Sequence, residues 1–420
     1  MGGKGYLPEE LLNFFEDENG KTILVKGPPG TGKTIFALTL LSILRGEGVY
    51  LSTRVDPEML YLTCPWIKDE ISENNIVDAT RSERPSVKRT KAIKPLKYTD
   101  APEFLRSVYE RTEEMENPVV IIDSWDAVAS YTGFYEPKDR ERLEHNLCDF
   151  ARKTGTKMIF IAEYTDQRSL DYLVDGVIIV EYMQESDRIL RRMFIQKLRG
   201  CAIRNPLSLF TLNGGVFKSL KYEPLSEKLR ELDLTTPGPI ERTDGADDYI
   251  STGVRELDSL LGGYRYLNIF EGDFLPFRML AQAAAINCLN SGKRVGISAV
   301  HSEMLDEIMP FVREDFRENV IEENTTNMDC NMIIVDIDDI DMNMRDFYAD
   351  LRAKGKVALC YARENSAKSL EVRHIASTFI RTKRYMGIPC IYAETPFTKV
   401  YALEWDVSAG FPAVRATPIE

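Results

Sequence analysis

Eight residues near the amino end, Gly27-Pro28-Pro29-Gly30-Thr31-Gly32-Lys33-Thr34, satisfy the spacing G-x-x-x-x-G-K-[ST], between an aliphatic run, Thr22 to Val25, and an apolar segment, Ile35 to Leu44. A strand, a glycine-rich turn and a helix in that order suit the binding of a triphosphate. The glycines let backbone amides turn inward around phosphate oxygens where Cβ atoms would obstruct them. The helix N-terminus adds a partial positive charge. Lys33 is placed to reach the β and γ phosphates, and the Thr34 hydroxyl to ligate Mg²⁺. The cradle is therefore expected to comprise Gly27, Pro28, Pro29, Gly30, Thr31, Gly32, Lys33, Thr34 and Ile35. A magnesium site also needs an acid at the tip of a nearby strand. Asp123, after Val119-Val120-Ile121-Ile122, fits that role, although taken alone it reads equally well as a turn or helix cap.

The elements that must position these residues alternate along the chain. Apolar runs at Val49–Leu51, Ile76–Val77, Val119–Ile122 and Met158–Ala162 interleave with helix-like segments at Pro102–Met115 and Asp139–Lys153. That pattern implies α/β architecture, with a mainly parallel sheet covered on both faces. Runs at Gly176–Val180, Ile189–Lys197 and Leu207–Leu212 leave no room for helices and predict hairpins at one edge. From Pro224 to Asp248 the composition turns polar, with Pro237, Gly238, Pro239 and Gly245, as in a linker. Beyond it the order of elements repeats: Leu267–Phe270, a helix-like Met279–Leu289, then Val295–Ile297. Two fragments recur, Val49-Tyr-Leu-Ser with Glu58-Met-Leu and Val295-Gly-Ile-Ser with Glu303-Met-Leu, which points to an internal duplication. Met332-Ile-Ile-Val-Asp336 mirrors Val119 to Asp123. The expected domains are 1–223, a linker at 224–247, and 248–420.

Four stretches resemble the KaiC-type branch of the RecA-like ATPases, a group with RadA-like and GvpD-type members. They are GPPGTGKT at Gly27, VVIIDS at Val119, Asp175 to Tyr182 (DGVIIVEY) followed by Lys197-Leu-Arg199-Gly200, and STGVRELDSLLGG at Ser251. The resemblance implies two tandem RecA-like P-loop domains, the first of which binds ATP and Mg²⁺. It also implies a homo-oligomer with nucleotide at subunit interfaces. In that arrangement Lys197 and Arg199 project toward the γ phosphate held by a neighbouring subunit, placing positive charge where the transferring group needs it. From the residues alone, both read as solvated hairpin positions. Lys33, Asp123, Lys197 and Arg199 are the expected catalytic set, with Thr34 and Asp123 at the metal. The segment LPEELLNFF before the P-loop looks more like GvpD-type proteins than like KaiC itself.

Two departures from the family pattern stand out. KaiC-like domains end their second strand in a glutamate pair that polarises the attacking water, whereas the matching positions here are Arg54 and Val55. Asp56 or Glu163 could substitute, and hydrolysis is expected to be weak. The P-loop slot of the second half reads Glu271-Gly-Asp-Phe-Leu-Pro-Phe-Arg278, with one glycine and no G-K-[ST]. Phe274, Leu275 and Phe277 would fill the amide cradle, and Glu271 and Asp273 would repel phosphate. This half is expected to be a pseudo-ATPase domain that packs, oligomerises or recruits a partner, with Arg278 the one residue able to stand in for the lysine.

The 420 residues carry a net charge of −13, so no diffuse positive field favours nucleic acid or an anionic membrane. Residues 81–97, RSERPSVKRTKAIKPLK, are a local exception, which could bind nucleic-acid phosphates, bind an acidic protein surface, or be a solvated insertion. Seven scattered cysteines without a C-x-x-C pair argue against a zinc site or a disulfide framework and suit the cytoplasm. The three histidines, His145, His301 and His374, lack ligand spacing and read as structural. Tyr61, Trp66, Trp125 and Phe134 read as core or interface. No apolar stretch reaches the ~18 residues that cross a bilayer, and the start shows no export or lipid-anchor signal. The reading is a regulatory ATPase whose assembly or partner binding Mg·ATP switches. The alternatives are a RadA-like DNA-binding ATPase using the basic segment and a structural scaffold with a vestigial site.

Overall fold

A computed structural model describes residues 7–16, 21–44, 48–52, 57–70, 76–78, 108–131, 136–163, 169–230, 234–240, 249–322 and 329–419. Arg54, Val55, Asp56, Phe134 and the basic segment 81–97 lie outside these residues, as does part of 224–247. The chain forms two compact units, one up to Leu220 and the other from Lys221 to Ile419. Among the described residues no helix is long and apolar enough to cross a membrane.

The first unit is built on β1 (Thr22–Gly27), β2 (Gly48–Ser52), β3 (Ile76–Asp78), β4 (Val119–Asp123), β5 (Lys157–Glu163), β6 (Gly176–Glu185), β7 (Arg188–Leu198), β8 (Leu207–Thr211) and β9 (Lys218–Ser219). The second uses β10 (Leu267–Gly272), β11 (Val295–Ile297), β12 (Val320–Glu322), β13 (Met332–Asp336), β14 (Val357–Ala362), β15 (Thr378–Tyr385), β16 (Ile388–Thr395), β17 (Tyr401–Asp406) and β18 (Ala413–Pro418). Sheet orders are β3-β2-β4-β5-β1-β6-β7-β8-β9 and β12-β11-β13-β14-β10-β15-β16-β17-β18. Adding nine to each strand number of the first order yields the second, so the duplication read from two short fragments extends to the whole topology. In both sheets the strands up to β6 or β15 run parallel and the rest form an antiparallel extension, as the helix-free spacing predicts. Each unit is an α/β fold on a mainly parallel sheet.

Period-2 alternation explains why each parallel sheet is covered twice. Ile23, Val25, Ile121, Ile159 and Ile161 enter one buried cluster, while Leu24, Val120, Ile122, Met158 and Phe160 enter another on the opposite face. Phe270 and Ile334 divide from Ile269 and Ile333 in the same way in the second unit. The helix Lys33–Leu44 buries Phe36 to Leu41 without a break. A helix apolar on every side belongs inside a protein, so the phosphate loop is anchored at its C-terminal end by a helix that cannot shift without opening the core. The helix Pro137–Thr154 is instead amphipathic, with Pro137 in its first turn and Gly155 in the left-handed conformation (φ 73°) at its end.

Parts of the polar stretch after Pro224 pack on the second unit. Tyr222, Leu225 and Leu229 lie against its core, Thr235 N donates to Gly410 O at 2.8 Å, and Ile240 N donates to Asn287 Oδ1 at 2.6 Å. A proline- and glycine-rich composition does not reveal such docking, which rests on a few apolar side chains and on backbone donors.

Candidate nucleotide site

The loop Pro28–Gly32 joins β1 to the helix Lys33–Leu44 at the C-terminal edge of the sheet. A Cβ on Gly27 would lie 1.9 Å from Val180 O of β6, so only glycine lets the loop leave the strand there. Gly30 and Gly32 hold φ of 78° and 101°, which side chains disfavour. Thr31 Oγ1 donates to Pro28 O at 2.8 Å and closes the loop on itself. Lys33 Nζ donates to Gly27 O at 2.6 Å and Pro28 O at 2.9 Å, holding its ammonium group in the mouth of the loop.

Asp123 lies at the tip of β4, in register with Ser52 of β2 and Ile161 of β5. Its Oδ2 accepts from Thr34 Oγ1 at 2.6 Å and from Tyr50 Oη at 2.8 Å. Thr34 and Asp123, assigned to Mg²⁺ from sequence, are thus brought together, and their two oxygens suit a hard cation. Sequence reasoning misses Tyr50, since a tyrosine inside an aliphatic strand reads as core. It is fully buried, and its phenol is held well above its ordinary ionisation range, by burial first and then by the Asp123 charge. Tyr50 therefore remains a donor.

Glu163 ends β5 in register with Gly27, which places this candidate base on the strand beside the first glycine of the loop. Its backbone N donates to Asp126 Oδ2 at 2.9 Å. Asp126 is paired with Arg140 at 3.1 Å, and Arg140 also pairs with Glu144 at 3.1 Å. The fully buried Glu144 accepts from Trp125 Nε1 at 2.8 Å and from Ser169 Oγ at 2.5 Å. This network locks the segment after Asp123 to the tip of β5. Trp125, read as core, is indeed buried.

Lys197 and Arg199 lie elsewhere. Lys197 Nζ donates to the carbonyls of Asp171 (3.0 Å), Tyr172 (3.3 Å) and Val174 (2.6 Å), at the end of the helix Ser169–Leu173. Arg199 donates to Tyr172 O at 2.6 Å and pairs with Asp175 at 3.3 Å. Two cations on the last carbonyls of a helix complement its partial negative charge. Burial and the neighbouring Arg199 guanidinium pull the Lys197 ammonium below its ordinary value. Within one chain these donors serve the helix end and not the phosphate loop.

The second unit reshapes the same connection. The strand–helix loop of the first unit spans Pro28 to Gly32, whereas β10 ends at Gly272 and its helix, Phe274–Asn290, already starts two residues later. The intervening Asp273 accepts from Leu275 N at 2.9 Å. Its carboxylate thus occupies the helix N-terminus that a phosphate would need. A cluster of Phe274, Phe277, Tyr361 and His301 fills the neighbouring space, with Phe274 stacked on His301 at 5.5 Å. His301 is 3% exposed, and burial lowers its pKa. Arg278 pairs with Glu307 at 2.7 Å. The charge preceding the glycine is inverted as well. Lys26 pairs with Asp171 at 2.9 Å, whereas Glu271 is held by Arg381 and Ser369.

Residues 11–198 match the family described as "GvpD gas vesicle protein, P-loop domain". That segment is similar to the GvpD P-loop domain. Protein GvpD2 of Halobacterium salinarum is 31% identical over 266 residues, covering 62% of this chain and 53% of that protein. Protein GvpD1 of the same organism is 29% identical over 275 residues, covering 64% and 50%. The chain spans about half the length of these curated relatives. It also aligns with the crystal structure of a KaiC-like protein from Pyrococcus horikoshii at 18% identity and a TM-score of 0.39, over 48% of this chain and 90% of that one. The matched segment holds the whole P-loop, Asp123, Glu163 and Lys197.

Proposed function

We propose that the first unit binds Mg·ATP and that the chain is a regulatory P-loop ATPase of the GvpD type, slow in hydrolysis and switched by nucleotide. The observation that carries this reading is the meeting of Thr34 and Asp123 at 2.6 Å beside a glycine loop whose lysine sits in its mouth. Lys33 would exchange two loop carbonyls for the β and γ phosphates, and the loop amides would cradle the α and β phosphates. Bound Mg²⁺, held by Thr34 and Asp123, would neutralise charge that develops on the phosphates. Tyr50 would keep Asp123 oriented.

Slow turnover follows from the sequence, in which Arg54 and Val55 stand at the positions of the glutamate pair. Glu163, in register with Gly27, would orient the attacking water. Lys197 and Arg199 would leave their helix cap to complete a neighbour's site in an oligomer. The second unit would be a pseudo-ATPase domain, because an internal carboxylate and an aromatic cluster take the place of phosphate. Binding that favours one assembly state shifts the population toward it. The test is light scattering with and without Mg·ATP. Assembly size changes in the wild type and not in Lys33→Ala, and an unchanged size in the wild type contradicts switching.

A further inference from the structure

The β6–β7 hairpin sets Tyr182 directly across from Arg191, and both side chains reach one backbone atom of the phosphate loop. Tyr182 Oη donates to Gly30 O at 2.6 Å and Arg191 Nη1 donates to it at 3.0 Å. The guanidinium lies 4.9 Å from the centre of the Tyr182 ring, so the two residues form a single unit. Gly30 needs its positive φ, and a Cβ there would come within 3.1 Å of the Tyr182 hydroxyl. The Arg191 Nε is buried with no hydrogen-bond partner among the described residues.

Peptide geometry turns this grip into a consequence for the ligand. In a trans peptide the C=O and N–H point to opposite sides. Tethering Gly30 O outward to the hairpin aims the Thr31 N–H the other way, into the side where the loop receives phosphate. The hydrogen bond from Thr31 Oγ1 to Pro28 O holds the following residue in step.

The second unit repeats the device with other chemistry. Val180 O fills the space above Gly27, and Thr382 O fills it above Gly272, 2.1 Å from where a Cβ would stand. Two residues after Val180 comes Tyr182, and two after Thr382 comes Arg384, whose Nε donates to Asp273 Oδ2 at 2.7 Å. In each unit the same hairpin position grips the strand–helix connection.

We propose that Tyr182 and Arg191 are positioning residues that set the nucleotide affinity of the first unit by holding the Gly30–Thr31 peptide with its amide facing the phosphates. This rests on the reading that the first unit binds nucleotide. The test titrates fluorescent mant-ATP and mant-ADP, with Mg²⁺, into the full chain carrying no change, Tyr182→Phe, Arg191→Ala, Arg191→Lys or Lys33→Ala. Tyr182→Phe and Arg191→Ala should each weaken both nucleotides by the same factor, about 3- to 10-fold, the size of one lost hydrogen bond. Arg191→Lys should recover part of the loss, and the partly exposed Tyr182→Phe should melt without nucleotide within about 1 °C of the wild type. Unchanged affinity in both truncating variants, or a loss confined to mant-ATP, overturns the positioning role while Lys33→Ala still abolishes binding. A wild type that binds neither probe overturns the nucleotide reading and this inference with it.

Discussion

Replacing Tyr50 with phenylalanine removes one hydroxyl and nothing else. That hydroxyl donates at 2.8 Å to Asp123 Oδ2, the phenol is fully buried, and Asp123 is 8% exposed, so the lost bond is charge-assisted and shielded from water. Thr34 still donates to the same oxygen, so the carboxylate is not left alone and the larger penalty of an unpaired buried charge does not apply. Hydrogen bonds to charged groups contribute about 1.5–3 kcal/mol. For a unit of this size each kcal/mol moves the melting temperature by roughly 2–4 °C, so Tyr50→Phe should melt about 3–12 °C lower. Because the folded-state pKa of Tyr50 is raised, its contribution is complete below the unfolded value near 10 and is lost as pH rises beyond it. Calorimetric melting of both proteins should therefore show a gap that is constant between pH 7 and 9, roughly the window below that value. No gap at neutral pH, or one that closes between those values, would refute the assignment of Tyr50 as a lasting donor to Asp123.

Other positions make separate predictions. Glu163→Gln should reduce ATP hydrolysis by about 10²–10⁴-fold with little change in nucleotide affinity, and equal turnover would move the base elsewhere. If Lys197 and Arg199 serve a neighbour, inactive Lys33→Ala and Arg199→Ala proteins mixed in equal amounts should regain about a quarter of wild-type hydrolysis, the fraction of interfaces with both intact halves; mixtures that stay inactive would confine these residues to their helix cap. His301, whose folded pKa is lowered by burial, contributes stability that is intact above its unfolded value near 6.5 and declines as pH falls through that region. His301→Phe, which keeps the stack on Phe274, should flatten the loss of urea stability between pH 7 and 5 that the wild type shows, roughly the window around that value.

Much of this architecture is legible in the sequence because it rests on local signals. The P-loop spacing, the aliphatic strands ending in Asp123 and Asp336, and the helix-free run after Gly176 each specify a local structure. The second helix begins at Phe274 rather than Met279, since Asp273 caps it and Pro276 is tolerated in a first turn. What the sequence hides is tertiary. Tyr50 and Asp123 meet because β2 and β4 are neighbours, and Tyr182, Arg191 and Gly30 meet because a hairpin folds over the loop. No spacing rule predicts those partners. Lys197 and Arg199 illustrate the converse. Their motif is plain, yet within one chain their donors serve helix carbonyls, a use that any hairpin lysine or arginine could find.

Calorimetric titration of the full chain with ATP and Mg²⁺ counts its nucleotide sites. One nucleotide should bind per chain, and none in Lys33→Ala. Two per chain, or one that survives Lys33→Ala, would contradict it, since the second unit would then hold a site that Asp273 and its aromatic neighbours should exclude.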